Sequence, residues 1–199
     1  DRSRADRFVW LRGFADMETR LKALSDFYSG PVWKKHGPAA GETMIDSDDV
    51  LLLKPVRSGS GFAYDPRLRP SGGENLPSAG VVVATIYPVH EAVSASQLES
   101  AAAALESAFA ETGSTLLAQL TTLRAENTFP RLPVREDANV FVSLASYPDE
   151  TEYRRALDRM KSLPIWKERV AKELDAIGGG LPVEALVLEP TSRSLLRHR

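Results

Sequence analysis

Residues 8–36 read FVWLRGFADMETRLKALSDFYSGPVWKKH, and residues 141–169 read FVSLASYPDETEYRRALDRMKSLPIWKER. The two stretches align without a gap at an offset of 133, and ten of their 29 positions are identical. These pairs are Phe8/Phe141, Val9/Val142, Leu11/Leu144, Asp16/Asp149, Ala23/Ala156, Leu24/Leu157, Ser29/Ser162, Pro31/Pro164, Trp33/Trp166 and Lys34/Lys167. With the offset increased by two residues, Val50–Pro55 then aligns with Ala185–Pro190. So much agreement in one order predicts a tandem duplication.

Each copy of the repeat is predicted to fold as strand, helix, strand. Residues 8–14 and 141–147 alternate in the manner of a strand and end at a turn. Asp16 and Asp149 follow as helix N-caps, the second with Glu152 as its capping-box partner. Val50–Lys54 and residues 183–189 are the returning strands, and each is stopped by proline.

A proline interrupts the helix in both copies, at Gly30-Pro31 and at Leu163-Pro164. Proline lacks the amide donor that a helix interior needs, but it is well suited to begin a new turn. We therefore expect a second short helix in each copy. Trp33 and Trp166 fall in these helices and are interpreted as packing residues, because both copies keep them.

A further unit of the same kind lies between the repeats. Val81–Pro88 predicts a strand, Ser96 and Glu99 predict a capping box for a helix that ends at Gly113, and residues 115–123 predict the next strand.

The sequence thus predicts an α+β protein with the element order βαβ, linker, βαββαβ. Residues 1–57 form the second half of a first module, and residues 58–80, rich in glycine, proline and serine, form a linker or mobile loop. Residues 81–191 form a complete module with the ferredoxin-like order, and residues 192–199 form a basic tail. By the repeat arithmetic the first module lacks its N-terminal βαβ unit, so we expect about 50 residues upstream of Asp1.

Three segments of the first copy resemble the NIPSNAP family: RFVWLRGF at residues 7–14, FYSGPVWKKHGPAA at 27–40 and TMIDSDDVLLLKP at 43–55. The likeness is looser over 141–190. It implies membership of the dimeric α/β-barrel proteins, in which two ferredoxin-like modules press their open sheet faces together. A tandem chain could build that barrel from its own two halves. The family has no settled biochemical activity, while the wider superfamily includes cofactor-free monooxygenases and haem enzymes.

The candidate pocket follows from this architecture and from strand alternation. Val9 and Leu11 are expected to face the helices, so Trp10, Arg12 and Phe14 face the barrel interior, as does Tyr147 in the second copy. An arginine beside aromatic rings could hold a carboxylate or an enolate. In the alternative interpretation, Trp10 fills the barrel and Arg12 pairs with an acidic side chain.

Two histidines and a tyrosine complete the candidate site. His36 has arginine at its repeat position, so the duplication does not require it; it is either a general base or haem ligand, or a surface residue. His90 follows Tyr87-Pro88 at a strand exit, where functional groups often lie, but a single loop histidine is weak evidence. The ligand-pocket candidates are Trp10, Arg12, Phe14, His36, Tyr87, His90 and Tyr147, with no catalytic residue assigned.

Composition removes several function classes. The 199 residues include no cysteine, which excludes thiolate nucleophiles and cysteine-ligated metals. The 25 basic and 27 acidic residues argue against a nucleic-acid binder. No apolar run reaches the ~18 residues of a membrane span. The acidic residues Asp46, Asp48 and Asp49 lack the glycine and distal glutamate of a calcium loop.

Two functions remain open. The first is a NIPSNAP-type protein that is not an enzyme, binds a small apolar or aromatic ligand or a protein partner, and forms homo-oligomers in the cytoplasm. The second is a cofactor-independent monooxygenase or isomerase for an aromatic or enolisable substrate, with Trp10, Arg12 and His36 around the site. We expect no cofactor and no metal, with haem as the alternative cofactor.

Overall fold

The structure is a computed structural model that describes residues 1, 6–46, 48–71, 80–182 and 184–197. These residues form an α+β protein with a five-stranded antiparallel sheet and five α-helices. The chain divides into two compact units. The sheet unit comprises Asp1–Val9, Leu53–Thr122 and Asn139–Arg199, and the helix-pair unit comprises Trp10–Leu52 and Leu123–Ala138.

The helix-pair unit contains two α-helices, and the sheet unit contains the remaining helices and all five strands. The helices are α1 (Met17–Ser29), α2 (Pro31–Glu42), α3 (Ala95–Thr112), α4 (Glu150–Ser162) and α5 (Ala171–Gly178). The strands are β1 (Leu53–Pro55), β2 (Val81–Pro88), β3 (Thr115–Thr122), β4 (Val140–Tyr147) and β5 (Glu184–Leu188). A 3₁₀ turn covers Pro66–Leu68, and a π-helical turn at Trp166–Val170 leads into α5.

The strands lie in the order β1-β3-β4-β2-β5, and every neighbouring pair is antiparallel. From β2 to β5 the elements run strand, helix, strand, strand, helix, strand. Strand β4 lies between β2 and β3, so it separates the two strands that α3 connects. The strands predicted at 81–88, 115–123 and 141–147 are therefore confirmed, and β5 falls within the one predicted at 183–189.

Both faces of this sheet are buried. On one face, Phe141 and Tyr147 of β4 belong to the apolar cluster that includes Leu105 of α3 and Leu174 of α5. On the other face, Leu144 is 1% exposed, and Val82, Val142, Leu120 and Leu186 are also buried. Antiparallel sheets commonly leave one face in water. This one carries apolar side chains on both.

The prediction of which side chains face the helices was wrong for β4. Tyr147 was predicted to face the barrel interior, but it packs against the helices, as does Phe141 on the same face of the strand. Strand alternation separates two faces without saying which one a helix will cover. Because both faces of β4 are apolar, the pattern carried no information to decide.

The strand predicted at residues 8–14 is also wrong, since residues 7–14 have no regular secondary structure. A strand forms only where a neighbouring strand accepts and donates its backbone hydrogen bonds. None of β1 to β5 pairs with this stretch among the described residues. Leu11, expected to face the helices, is 42% exposed.

The predicted helix starts are largely confirmed. The carboxylates of Asp16 and Asp149 accept hydrogen bonds from the backbone N–H groups of Thr19 and Glu152, at 2.7 and 2.8 Å. The predicted capping box of α3 is two residues out of place, because Ser94 rather than Ser96 is the N-cap. Its hydroxyl accepts from the N–H of Gln97, whose side chain in turn accepts from the Ser94 N–H.

The proline breaks fall where predicted. Pro31 is the first residue of α2, while Pro164 lies between α4 and the π-helical turn. In the predicted linker, the 3₁₀ turn is the only regular secondary structure in residues 58–71. Residues 72–79 of the linker, residues 198–199 of the basic tail, and positions 47 and 183 lie outside the described residues.

Candidate functional site

A cluster of aromatic rings lies in the helix-pair unit. The break before Pro31 brings Phe27 and Tyr28, at the end of α1, against Trp33 in the first turn of α2. Trp33 is centred 5.3 Å from Phe27 and 4.8 Å from Tyr28. Tyr28 also stacks on Phe129 at 5.5 Å. The proline break therefore assembles the rings.

Trp10 and Arg12 extend this cluster toward solvent. The Arg12 guanidinium lies 4.3 Å from the centre of the Trp10 ring, a cation–π contact. The Trp10 ring meets Phe27 edge-on at 6.0 Å. Trp10 is 54% exposed and Phe27 is 37% exposed. We call Trp10, Arg12, Phe27, Tyr28 and Trp33 the arginine–aromatic surface.

Gly37 fixes the orientation of Trp33 within α2. A Cβ on Gly37 would lie only 2.8 Å from the Trp33 ring, so the ring covers the helix at a position that has no side chain. Gly37 is itself buried. The helix break and this glycine together hold Trp33 against Phe27 and Tyr28.

The inner face of α1 carries a buried arginine. Arg20 is only 4% exposed, and its Nη1 donates to Asn127 Oδ1 at 3.1 Å and, more weakly, to Thr128 Oγ1 at 3.5 Å. Its Nη2 is buried and has no hydrogen-bond partner. Burial lowers the pKa of Arg20 from its usual value, and the positive charge of Arg12 lowers this pKa further.

Sequence reasoning did not find Arg20, although a signal for it exists. Met17, Arg20, Leu24 and Phe27 recur at the helical spacing of one face, and Arg20 and Leu24 are the buried residues of α1. An arginine in the middle of an otherwise apolar stripe predicts either a buried ion pair or a bound anion. The repeat comparison concealed it, since Tyr153 occupies the matching position.

The predicted site residues do not converge on one place. Trp10 and Arg12 are in contact, as the prediction of an arginine beside aromatic rings requires. Phe14 is half-buried just before α1, and His36 is exposed on α2. Among the described residues the side chain of His36 forms no hydrogen bond, ion pair or ring contact.

The other three candidates belong to the sheet unit. Tyr87 is 7% exposed and stacks on Phe141 at 5.9 Å, and burial raises its pKa above the usual value. Burial also raises the pKa of Tyr147 to about 12, and the Tyr147 ring lies 5.3 Å from Tyr153. These two phenols pack in the core of the sheet unit and stay protonated at neutral pH.

His90 lies on the surface of the sheet unit. Its side chain is exposed, while its backbone N–H donates to the carbonyl of Ile177 at 2.8 Å. Its carbonyl accepts from Val93. The main chain of His90 thus ties the exit of β2 to α5, a structural role that does not depend on the imidazole.

Two surface grooves lie away from these residues. One, of about 530 Å³, is lined by Asp48, Asp49 and residues 133–137 of the helix-pair unit. The other, of about 390 Å³, lies in the sheet unit between residues 57–61, α3 and β3, and the ion pair of Arg57 with Glu106 borders it. Neither groove contains a predicted site residue.

The described part of the chain contains neither a cluster of metal-binding side chains nor a helix suited to spanning a membrane. In those ranges no three His, Cys, Asp or Glu side chains gather around a point where an ion could bind. None of the helices described combines the length and the apolar character that crossing a bilayer requires.

Comparisons with known proteins add no relative. No protein-family model matches the chain, and no curated protein matches it.

Proposed function

We propose that this chain is a NIPSNAP-type binding protein without catalytic activity, and that its arginine–aromatic surface binds a small aromatic ligand. The observation that carries the proposal is the exposed Trp10 ring, with the Arg12 guanidinium at 4.3 Å and the edge of Phe27 at 6.0 Å. An aromatic ring that remains more than half exposed beside a cation offers a stacking platform for a flat ligand.

The fold supports the NIPSNAP part of the proposal. The strand order β3-β4-β2-β5 is that of a ferredoxin-like βαββαβ module, which is the building block of α/β barrels. The buried apolar layer around Leu144 and Leu186 is the kind of face that such modules press together. The tandem arrangement and the barrel stay proposals.

The positions of the two histidines favour binding over catalysis. A general base must reach the proton it removes, directly or through one water. His36 and His90 belong to different units, both are exposed, and Arg12 lines neither of the two grooves described above. The monooxygenase or isomerase alternative needs an enclosed site in which a base reaches the substrate.

Fluorescence with a neutral aromatic probe tests the proposal. We expect phenylacetamide to change tryptophan emission in a saturable manner, and we expect Trp10→Ala to weaken that binding about tenfold, since stacking on one aromatic ring contributes about 1–1.5 kcal/mol. Val32→Ala is the matched control, because Val32 is a 68% exposed apolar residue of the same unit and lies outside the surface.

Three results would overturn the proposal. The first is the absence of saturable binding, and the second is equal binding by wild type and Trp10→Ala. The third is turnover of an aromatic substrate under oxygen that Arg12→Ala abolishes, which would favour the enzyme. A Soret band on titration with haem would favour the haem alternative.

A further inference from the structure

Arg20 is a buried cation that has no anionic partner among the described residues. It is 4% exposed, and within the described residues its side chain forms hydrogen bonds only from Nη1, to the neutral oxygens of Asn127 and Thr128. No acidic side chain in the described ranges forms an ion pair with it. Burying an unpaired charge is unfavourable by several kcal/mol unless an opposite charge and hydrogen bonds compensate for it.

The polar groups that accept from Arg20 also form other hydrogen bonds. Asn127 Oδ1 also accepts from the backbone N–H of Phe129, and its amide donates to the carbonyl of Leu132. The Thr128 hydroxyl donates to the carbonyl of Met17. None of these groups carries a negative charge, so the guanidinium charge and the buried Nη2 are left without compensation.

The neighbouring charge is a second arginine. Arg12 is close enough to lower the pKa of Arg20, and the two like charges repel. Arg12 is held by its contact with the Trp10 ring and forms no ion pair or hydrogen bond within the described residues. Two guanidinium groups without acids, next to exposed aromatic rings, form an electropositive site.

We propose that Arg20 and Arg12 together bind the carboxylate of the aromatic ligand whose ring stacks on Trp10. This inference rests on the proposed function and adds the chemical class of the ligand, an aryl or arylalkyl carboxylate. The planar fork of a guanidinium matches the two oxygens of a carboxylate, and one anion between two arginines offsets their repulsion.

Access to the site requires a movement of side chains. Nη2 of Arg20 has no contact with solvent in the structure, so the anion cannot reach it in this arrangement. Arg12 can move, because turning away from the Trp10 ring breaks no hydrogen bond. We expect the ligand ring to take the place of Arg12 on Trp10 while Arg12 turns toward the carboxylate.

The experiment compares phenylacetate with phenylacetamide, which have nearly the same shape and differ in charge. Calorimetric titration of the purified chain is expected to show phenylacetate binding about tenfold more tightly or better, because hydrogen bonds between charged groups are stronger than those between neutral groups. In Arg20→Met this preference is expected to fall within about twofold. Lys22→Met is the matched control on the exposed side of α1 and should keep the preference, because Lys22 pairs with Asp26.

The possible failures are distinguishable. Equal affinity of the wild type for the two probes overturns the carboxylate site and leaves the proposed function standing. If neither probe binds, the carboxylate site and the proposed function are both overturned. If inorganic sulfate alone binds, the surface is a plain oxyanion site and both proposals are replaced. A preference that persists in Arg20→Met overturns the role of Arg20.

A second variant keeps the test valid if Arg20→Met does not fold. Arg12→Met removes a half-buried side chain that has no hydrogen bond in the described residues, so the fold should tolerate it. The proposal expects Arg12→Met to reduce the phenylacetate preference at least threefold. An unchanged preference in Arg12→Met contradicts it.

Discussion

Replacing Gly178 with alanine tests how closely α5 approaches the end of β2. Gly178 is the last residue of α5. A Cβ at this position would lie 2.5 Å from the carbonyl carbon of Pro88, closer still to its oxygen, and 3.3 Å from the Val89 nitrogen. These are main-chain atoms, which cannot rotate away as a side chain would.

The expected loss of stability can be worked from the contacts nearby. The added methyl group fits only if α5 moves away from the end of β2. Forcing extra volume into a packed site in this way costs about 1–3 kcal/mol. It also strains the 2.8 Å hydrogen bond from the His90 N–H to the Ile177 carbonyl, which contributes about 1 kcal/mol. Displacing the fully buried Ile177 adds to both. We expect Gly178→Ala to lower the free energy of unfolding by about 3–5 kcal/mol.

Gly113→Ala is the matched control in the same unit. Gly113 caps α3 with a φ of +70°, and no atom lies within 4 Å of the Cβ that alanine would add. Only backbone strain opposes this change, so the loss should be about 1–2 kcal/mol. Urea unfolding followed by circular dichroism measures both variants. Equal losses for the two would refute the close approach of α5 to the end of β2.

Three further changes test local features. Ser94→Ala should lower the free energy of unfolding by about 1 kcal/mol through loss of the α3 cap, whereas Ser96→Ala should leave it nearly unchanged. Thermal unfolding measures both variants. A larger loss for Ser96→Ala than for Ser94→Ala would support Ser96 as the N-cap, as the sequence predicted. Tyr147, with its pKa raised to about 12, should ionise about two pH units above a free phenol in an ultraviolet titration. Because this phenol ionises first in the unfolded chain, the free energy of unfolding should be unaffected below about pH 10 and should fall between about pH 10 and 12. Ionisation of Tyr147 near pH 10 in the folded chain would contradict its burial. Gly37→Ala should push the Trp33 ring away, cost about 1–3 kcal/mol and shift the Trp33 emission, and unchanged emission would contradict the packing of that ring.

The sheet unit was largely predictable from sequence, because its elements are signalled locally. A run of mostly apolar residues that ends at Pro88 marks β2, a left-handed glycine at 113 ends α3, and Asp149 caps α4. The face of β4 that meets the helices was not predictable, because Phe141 and Val142 are equally good core residues and both are buried.

In the first copy of the repeat, the sequence pattern predicted a strand that does not form. Residues 8–14 match β4 well enough to predict a strand, but strand formation depends on a neighbour that a repeat comparison does not supply. Helix starts and breaks, at Asp16 and Pro31, depend on residues close in sequence and were predicted correctly.

The candidate site was predicted only in part. The contact between Trp10 and Arg12 joins residues two apart, so the local pattern was enough to suggest it. Arg20 finds its hydrogen-bond partners at positions 127 and 128, more than 100 residues away. No spacing rule connects those positions, and only the fold reveals that the arginine is buried without an acid.

Fluorine NMR of the chain labelled with 5-fluorotryptophan tests the central claim most directly. The chain has three tryptophans, and the resonance lost in Trp10→Phe identifies Trp10. On titration with phenylacetate, the account predicts a saturable shift of the Trp10 resonance and none of Trp166, which packs against the core of the sheet unit. A Trp10 resonance that stays in place while the ligand binds would contradict the claim that the arginine–aromatic surface is the binding site.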